Sequence, residues 1–326
     1  MGGLQVTQRF FKKYRSILKK YMLTVFKISM SIVLFLLILD NLDFSGTVKL
    51  LKNVNTNFLL IALLILAVQT ILASIRWKIV LDNFNLKLPH FDILRYLWIG
   101  LFFNQALPSS IGGDALRGYY LRRNGSSLRD SAIGVLLDRF FGMTGLFIMV
   151  LLVVPMLLNR LDSLTAQWSV VLFSGALFAV ISVSLVLDLL PLKLEKWRLV
   201  GGLRTLSLKA RKMLFSNKPG ITLVLLSVIV HFFSVFAVIA LSEGLSLEIE
   251  WLGIFLIIPL VTLFMLIPIS IAGWGIREGV MVIGLGYLNV QSEQALALSI
   301  LYGLSMLTIS LPGGIVWLFS SHPSRK

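Results

Sequence analysis

Long apolar runs alternate along the chain with short polar connections that are mostly basic. A helix that crosses the hydrocarbon core of a bilayer needs about 20 predominantly apolar residues. Six segments meet that length: 22–39, 58–80, 132–157, 168–190, 220–242 and 295–319. Two more apolar stretches, 92–106 and 251–267, are shorter. Each runs into a Pro/Gly breaker and is followed by a further helical stretch, 115–123 or 276–289. The longest polar segment, 191–218, reads as a basic loop. Residues 1–21 read as a basic amphipathic segment: Phe10, Phe11, Tyr14, Ile17 and Leu18 share a face ringed by lysines and arginines, which suits an anionic lipid surface. The pattern predicts an all-α polytopic membrane protein, with about six full spans plus two helical hairpins, as a single transmembrane domain over 22–326.

The two breakers are copies. Pro108-Ser109-Ser110-Ile111-Gly112-Gly113-Asp114-Ala115-Leu116-Arg117 aligns with Pro268-Ile269-Ser270-Ile271-Ala272-Gly273-Trp274-Gly275-Ile276-Arg277, with five of ten positions identical. Paired Gly/Pro-interrupted hydrophobic segments at matching places in two halves are the strongest sequence pointer to a transporter's binding site.

Composition and charge set the topology. The chain is 57% hydrophobic and only 14% charged, against about 25% charged in soluble domains. Its net charge of +15 suits nucleic acid in a soluble protein; here the cations flank apolar spans, so a membrane, not nucleic acid, is the expected partner. Of the 30 lysines and arginines, 26 lie before residue 28, within 76–95, 117–139 and 193–218, or at the C-terminal end. Cytoplasmic connections are enriched in these residues. One topology puts all 26 inside, with both termini cytoplasmic in a prokaryotic plasma membrane. It makes the first short hairpin dip in from the cytoplasm and the second from outside. Units 58–157 and 220–319 are then an inverted repeat, with the two breakers meeting near the midplane. The alternative, in which both hairpins cross fully, gives about ten ordinary spans. The N-terminus shows a basic stretch followed by a spanning-length apolar run without a small-residue cleavage site, so no cleavable signal is expected.

The chain has no cysteine and three histidines without metal-ligand spacing. It has no P-loop, GxSxG or HExxH motif. No cofactor, metal or enzymatic activity is expected. The breakers carry the candidate chemistry. Asp114 is placed to cap a helix start, whose free N–H groups attract anions. Arg117 in the first turn, and Arg277 in the second copy, can fork onto a phosphate. A lone intramembrane cation such as Arg277, followed by Glu278, is costly and usually functional. Asp138 and Arg139 can pair with Arg117 or Asp114. Asn104 can serve backbone groups freed by Pro108. Arg76-Trp77 reads mainly as an interfacial anchor. The candidate substrate-binding set is Asn104, Ser110, Gly112, Gly113, Asp114, Arg117, Asp138, Arg139, Ser270, Gly273, Gly275, Arg277 and Glu278.

On three stretches, Asn104 to Arg117, Leu136 to Arg139 and Ile267 to Gly279, the chain resembles the lysylphosphatidylglycerol synthase transmembrane-region family of flippase-like membrane proteins. Arg76-Trp77 also fits, and the likeness runs over roughly residues 20–320. In bifunctional members a soluble aminoacyl-transferase domain follows the membrane part; this sequence stops at Lys326, so a stand-alone translocating half is expected. The resemblance implies flipping or scrambling of an anionic phospholipid or a polyprenol-linked glycolipid. The other readings are a lipid-linked transferase using Asp114 or Glu278, a small-solute or ion carrier, and an accessory subunit for a membrane glycosyltransferase docked on 193–218.

Overall fold

A computed structural model describes residues 29, 44–83, 86–107, 112–161, 163–189, 198–266 and 272–320. The segment 1–21, the span at 22–39 apart from residue 29, and the breaker residues Pro108, Ser110, Pro268 and Ser270 lie outside the described residues. Eleven α-helices and no strand occur among the described residues: α1 (Phe44–Lys52), α2 (Thr56–Asp82), α3 (His90–Ala106), α4 (Gly112–Arg123), α5 (Leu128–Leu158), α6 (Leu164–Val186), α7 (Arg198–Leu214), α8 (Asn217–Gly244), α9 (Trp251–Met265), α10 (Ile276–Gly286) and α11 (Ser292–Phe319). A 3₁₀ turn, Leu187–Leu189, extends α6. The chain is an all-α polytopic membrane protein. Five helices, α2, α5, α6 with its extension, α8 and α11, are long and apolar enough to cross a bilayer. Helix is the form in which a segment satisfies its own backbone in hydrocarbon. Side chains at the polar ends start the helices: Asn55 caps α2, Ser127 caps α5, Ser163 caps α6 and Ser216 caps α8.

The four short helices form two hairpins. α3 has 17 residues and α4 has 12; α9 has 15 and α10 has 11. At 1.5 Å per residue, none exceeds about 26 Å, less than the roughly 30 Å of a bilayer core. The end of α4 returns to the start of α3, where Asn124 Nδ2 donates to Tyr96 Oη at 2.9 Å and Tyr96 stacks on Tyr120. The end of α10 returns to the start of α9, where Gly253 lies against Leu288.

The hairpins open to opposite faces. The Asn55 N–H at the start of α2 donates to the Gly244 carbonyl at the end of α8, at 2.8 Å, so these neighbours run antiparallel. Arg95 at the start of α3 reaches Ser320 at the end of α11 at 2.5 Å. Arg160 after α5 reaches Glu250 before α9 at 3.2 Å. One face therefore carries the bases of α3 and α4, with Lys78, Arg95, Arg122, Arg123, Arg129 and Lys218. The other carries the bases of α9 and α10, with Glu243, Glu248, Glu250 and Glu293. Packing follows the same inversion. α3 lies on α11 as α9 lies on α5; α4 on α5 as α10 on α11; α2 on α11 as α8 on α5; and α2 and α8 pack on each other between the two units.

Small residues let the units approach. Gly313, beside Pro312 in α11, touches the Trp98 backbone of α3, and Gly314 lies under the Phe102 ring. Such contacts drive helix association where lipid offers no hydrophobic gain. The basic stretch 191–218 departs from the expected loop, because 198–214 is helix α7. Leu206, Ser207, Ala210, Met213 and Leu214 recur at helical spacing and turn inward. Ser207 and Arg211 hold Asp188 at 2.9 and 2.5 Å. Its many cations hid this apolar stripe.

Candidate functional site

At the first breaker, α4 starts at Gly112 beneath α3. A side chain on Gly113 would run into the Gly100 carbonyl and the Asn104 amide. The Gly113 N–H donates to Asn104 Oδ1 at 3.0 Å, so a neighbouring side chain uses this N–H of the helix start. Asp114 lies within the first turn, and arginines of its own helix and of α5 hold its carboxylate. Its Oδ2 accepts from Arg139 Nε at 2.7 Å, and its Oδ1 from Arg139 Nη2 at 3.1 Å and Arg117 Nη1 at 3.3 Å.

Asp138, nearly three turns into α5, bridges Arg76 and Arg117. Its Oδ1 accepts from Arg76 Nε at 2.9 Å and its Oδ2 from Arg117 Nη2 at 2.6 Å. Arg76 and Trp77 thus sit in the interior of the protein, where the sequence suggested an interfacial anchor. Trp77 lies under the Arg117 guanidinium at 3.9 Å, a cation–π contact. Asp138 is 2% exposed and Arg117 4%, while the Arg139 side chain is 41% exposed. The network ties α2, α4 and α5 together. It holds three guanidiniums (Arg76, Arg117, Arg139) and two carboxylates (Asp114, Asp138), a formal excess of +1. Arg117 Nε has no hydrogen-bond partner.

The second breaker is built differently. Ala272, Gly273 and Gly275 have φ of 50°, 82° and 89°, a left-handed run that glycine permits. Glu278 Oε2 accepts the Gly275 N–H at 2.6 Å. Its Oε1 accepts from the adjacent Arg277, Nη2 at 2.6 Å and Nε at 3.1 Å, and from Ser299 at 3.4 Å. The Arg277 guanidinium stacks on Trp274 at 4.4 Å and presses on Gly303. Arg277 is 1% exposed and Glu278 0%. The pair is neutral and belongs to one helix. Between α5 and α11, Ser131 matches Ser292, Leu137 matches Leu298 and Gly142 matches Gly303, which sets Asp138 opposite Ser299. The second unit lacks the carboxylate on its long helix and supplies Glu278 where the first has Gly118.

A cavity of about 300 Å³ lies among α2, α3, α4, α5, α8, α9 and α11. Arg76, Asn104, Arg117, Asp138 and Arg139 line it, with His231 of α8, Thr262 of α9 and Met306 of α11. Leu66, Leu97, Leu101 and Leu146 supply apolar wall. Gly112, Gly113 and Asp114 back the cluster; Gly273, Gly275, Arg277 and Glu278 are outside the lining. Sequence reasoning missed Arg76, Trp77 and His231 as site residues. The signal for Arg76 was present: Ile79, Val80 and Leu81 follow it before the span ends. A wider bowl of about 860 Å³ opens on the opposite face between the bases of α9 and α10. Its Arg160–Glu250 pair is 41% and 67% exposed, and such pairs contribute little. Among the described residues, no group of three His, Asp or Glu side chains converges as a metal site.

Over 174 residues the chain is 28% identical to the UPF0104 membrane protein PH1989 of Pyrococcus horikoshii, a match covering 52% of this chain and 49% of the relative. Over 96 residues it is 30% identical to the UPF0104 membrane protein MJ1595 of Methanocaldococcus jannaschii, covering 28% and 29%. The matched stretch thus spans about half, or less, of each relative's length. The family described as lysylphosphatidylglycerol synthase TM region matches residues 24–313. With the match covering most of its length, the chain belongs to the lysylphosphatidylglycerol synthase TM region family.

Proposed function

We propose that the protein moves an anionic lipid headgroup across the membrane through the cavity beside the first breaker. The observation that carries this reading is the excess cation of a cluster whose inner members, Arg76, Arg117 and Asp138, are buried. A cluster with one unmatched positive charge lines a cavity in apolar surroundings, where uncompensated charge is costly. A phosphate-bearing headgroup entering the cavity neutralises it, held by Arg139 and Arg117, while its hydrocarbon chains stay in the bilayer. Two units of opposite direction provide the means to expose the cavity to either face in turn. By the positive-inside bias the face bearing Arg95, Arg122 and Arg123 is cytoplasmic. The second breaker serves as a self-neutral pivot. The same geometry argues against a transferase using Asp114 or Glu278, since both carboxylates are held by arginine.

Reconstitution tests the reading. Proteoliposomes with fluorescently labelled phosphatidylglycerol are expected to equilibrate the label between leaflets at least about ten times faster than protein-free vesicles, a change of about 1.4 kcal/mol in barrier. A rate equal to that of protein-free vesicles, from folded protein, overturns it.

A further inference from the structure

Resting on that reading, we infer that the cavity takes a headgroup with a single net negative charge and moves it without a countercharge, so that the membrane potential drives the transport. Charge counting leads here. The cavity cluster sums to three cations less two anions, and the Arg277–Glu278 pair adds nothing. A monoanion brings the cluster to zero. A zwitterion leaves it at +1 and a dianion takes it to −1, each a buried unmatched charge. The remaining polar groups of the lining, such as Gln69, Asn104 and Thr262, are uncharged. His231 gives its Nε2 hydrogen to the Gly142 carbonyl at 3.0 Å, and Gly142 itself faces the Arg76 guanidinium. A second proton on that imidazole would add a cation beside three others.

Nothing in the described cavity is free to accompany the anion as a proton. Asp138 and Asp114 each hold two guanidiniums. Protonating either would raise the cluster to +2 and leave its guanidinium donors without their anion. The arginines belong to helices α2, α4 and α5 and stay with them, so the charge that crosses is that of the headgroup. One charge crossing the whole potential responds to 100 mV by about 50-fold in its equilibrium distribution. A cavity near the lower end of the roughly 300–1,000 Å³ typical of small-molecule sites suits one phosphodiester with a small polar group. A single phosphodiester carries the required charge.

The experiment uses the full chain in proteoliposomes with labelled phosphatidylglycerol, a monoanion, and labelled phosphatidylethanolamine, a zwitterion. A potassium diffusion potential of about 100 mV, set with valinomycin, is expected to drive the phosphatidylglycerol label toward the positive side by up to about 50-fold. Reversing the potential reverses the distribution. A pH gradient at zero potential is expected to leave it even. A distribution that ignores the potential, or follows the pH gradient, overturns the inference while leaving translocation itself intact. No protein-dependent crossing at zero potential would instead overturn the proposed function. Arg139→Gln, at the exposed edge of the cluster, cancels the excess charge and is expected to remove the preference for phosphatidylglycerol over phosphatidylethanolamine, and Arg139→Lys to keep it. Equal preference in wild type and Arg139→Gln also overturns the charge count.

Discussion

The two breaker segments end in the same arginine, yet one guanidinium belongs to an assembly and the other to its own turn. Arg117 takes its carboxylates from α5 and its own first turn, and its aromatic platform from α2. Arg277 takes its carboxylate from the next residue and its platform from Trp274, three residues back. The first tip is therefore neutralised only while three helices stay together, and even then one positive charge is left over. The second tip is neutral within one hairpin. The two copies give equivalent frames that differ at a few charged positions: Asp138 against Ser299, Asp114 against Trp274, Gly118 against Glu278. A self-neutral hairpin can shift against its neighbours without separating ions in low dielectric. A cationic cluster that lines a cavity invites an anion.

The largest effect expected from breaking this contrast lies at the two carboxylates. Asp138→Ala leaves Arg76 and Arg117 buried without their shared partner and is expected to cost about 3–5 kcal/mol. Glu278→Gln keeps an oxygen for the Gly275 N–H but weakens the hold on Arg277, and is expected to cost about 1.5–3 kcal/mol. Thermal unfolding in detergent checks both. The contrast is sharper in lipid selectivity: any Glu278→Gln protein that folds is expected to keep its preference for the anionic lipid.

Much of the fold was written in the apolar lengths. Five of the six runs of spanning length are the long helices among the described residues, and the shorter runs, broken by glycine and proline, are the arms of the hairpins. The distribution of lysine and arginine assigned the bases of α3 and α9 to opposite faces, as the packing shows. Residues 198–214 escaped because seven polar or basic side chains outweigh an apolar stripe that covers barely one face. In the site, Arg117, Asp114, Asp138 and Arg139 stood out because charge inside an apolar stretch needs a partner. Arg76 did not, since Lys78 follows two residues later and made it look like the polar end of α2. Which arginine borders the cavity depends on side-chain direction and on packing against α11, and the linear motif, nearly the same in both copies, carries neither.

A smaller effect separates the equivalent glycines under the two clusters. A methyl on Gly303 would overlap the Arg277 guanidinium, whereas a methyl on Gly142 would meet Arg76 at 3.5 Å, an ordinary contact. Gly303→Ala is expected to cost about 1–3 kcal/mol, and Gly142→Ala to stay within about 0.5 kcal/mol. Equal costs, read from unfolding midpoints, would mean that the second guanidinium is not wedged against its neighbour.

The most direct measurement compares Arg117→Gln with Arg277→Gln in proteoliposomes, reading the ratio of labelled phosphatidylglycerol to phosphatidylethanolamine movement. If charge at the first tip selects the anion, Arg117→Gln lowers this ratio by about tenfold or more, equivalent to about 1.4 kcal/mol, while folded Arg277→Gln retains the wild-type ratio. Equal loss in the two variants, or loss only in Arg277→Gln, would contradict the account.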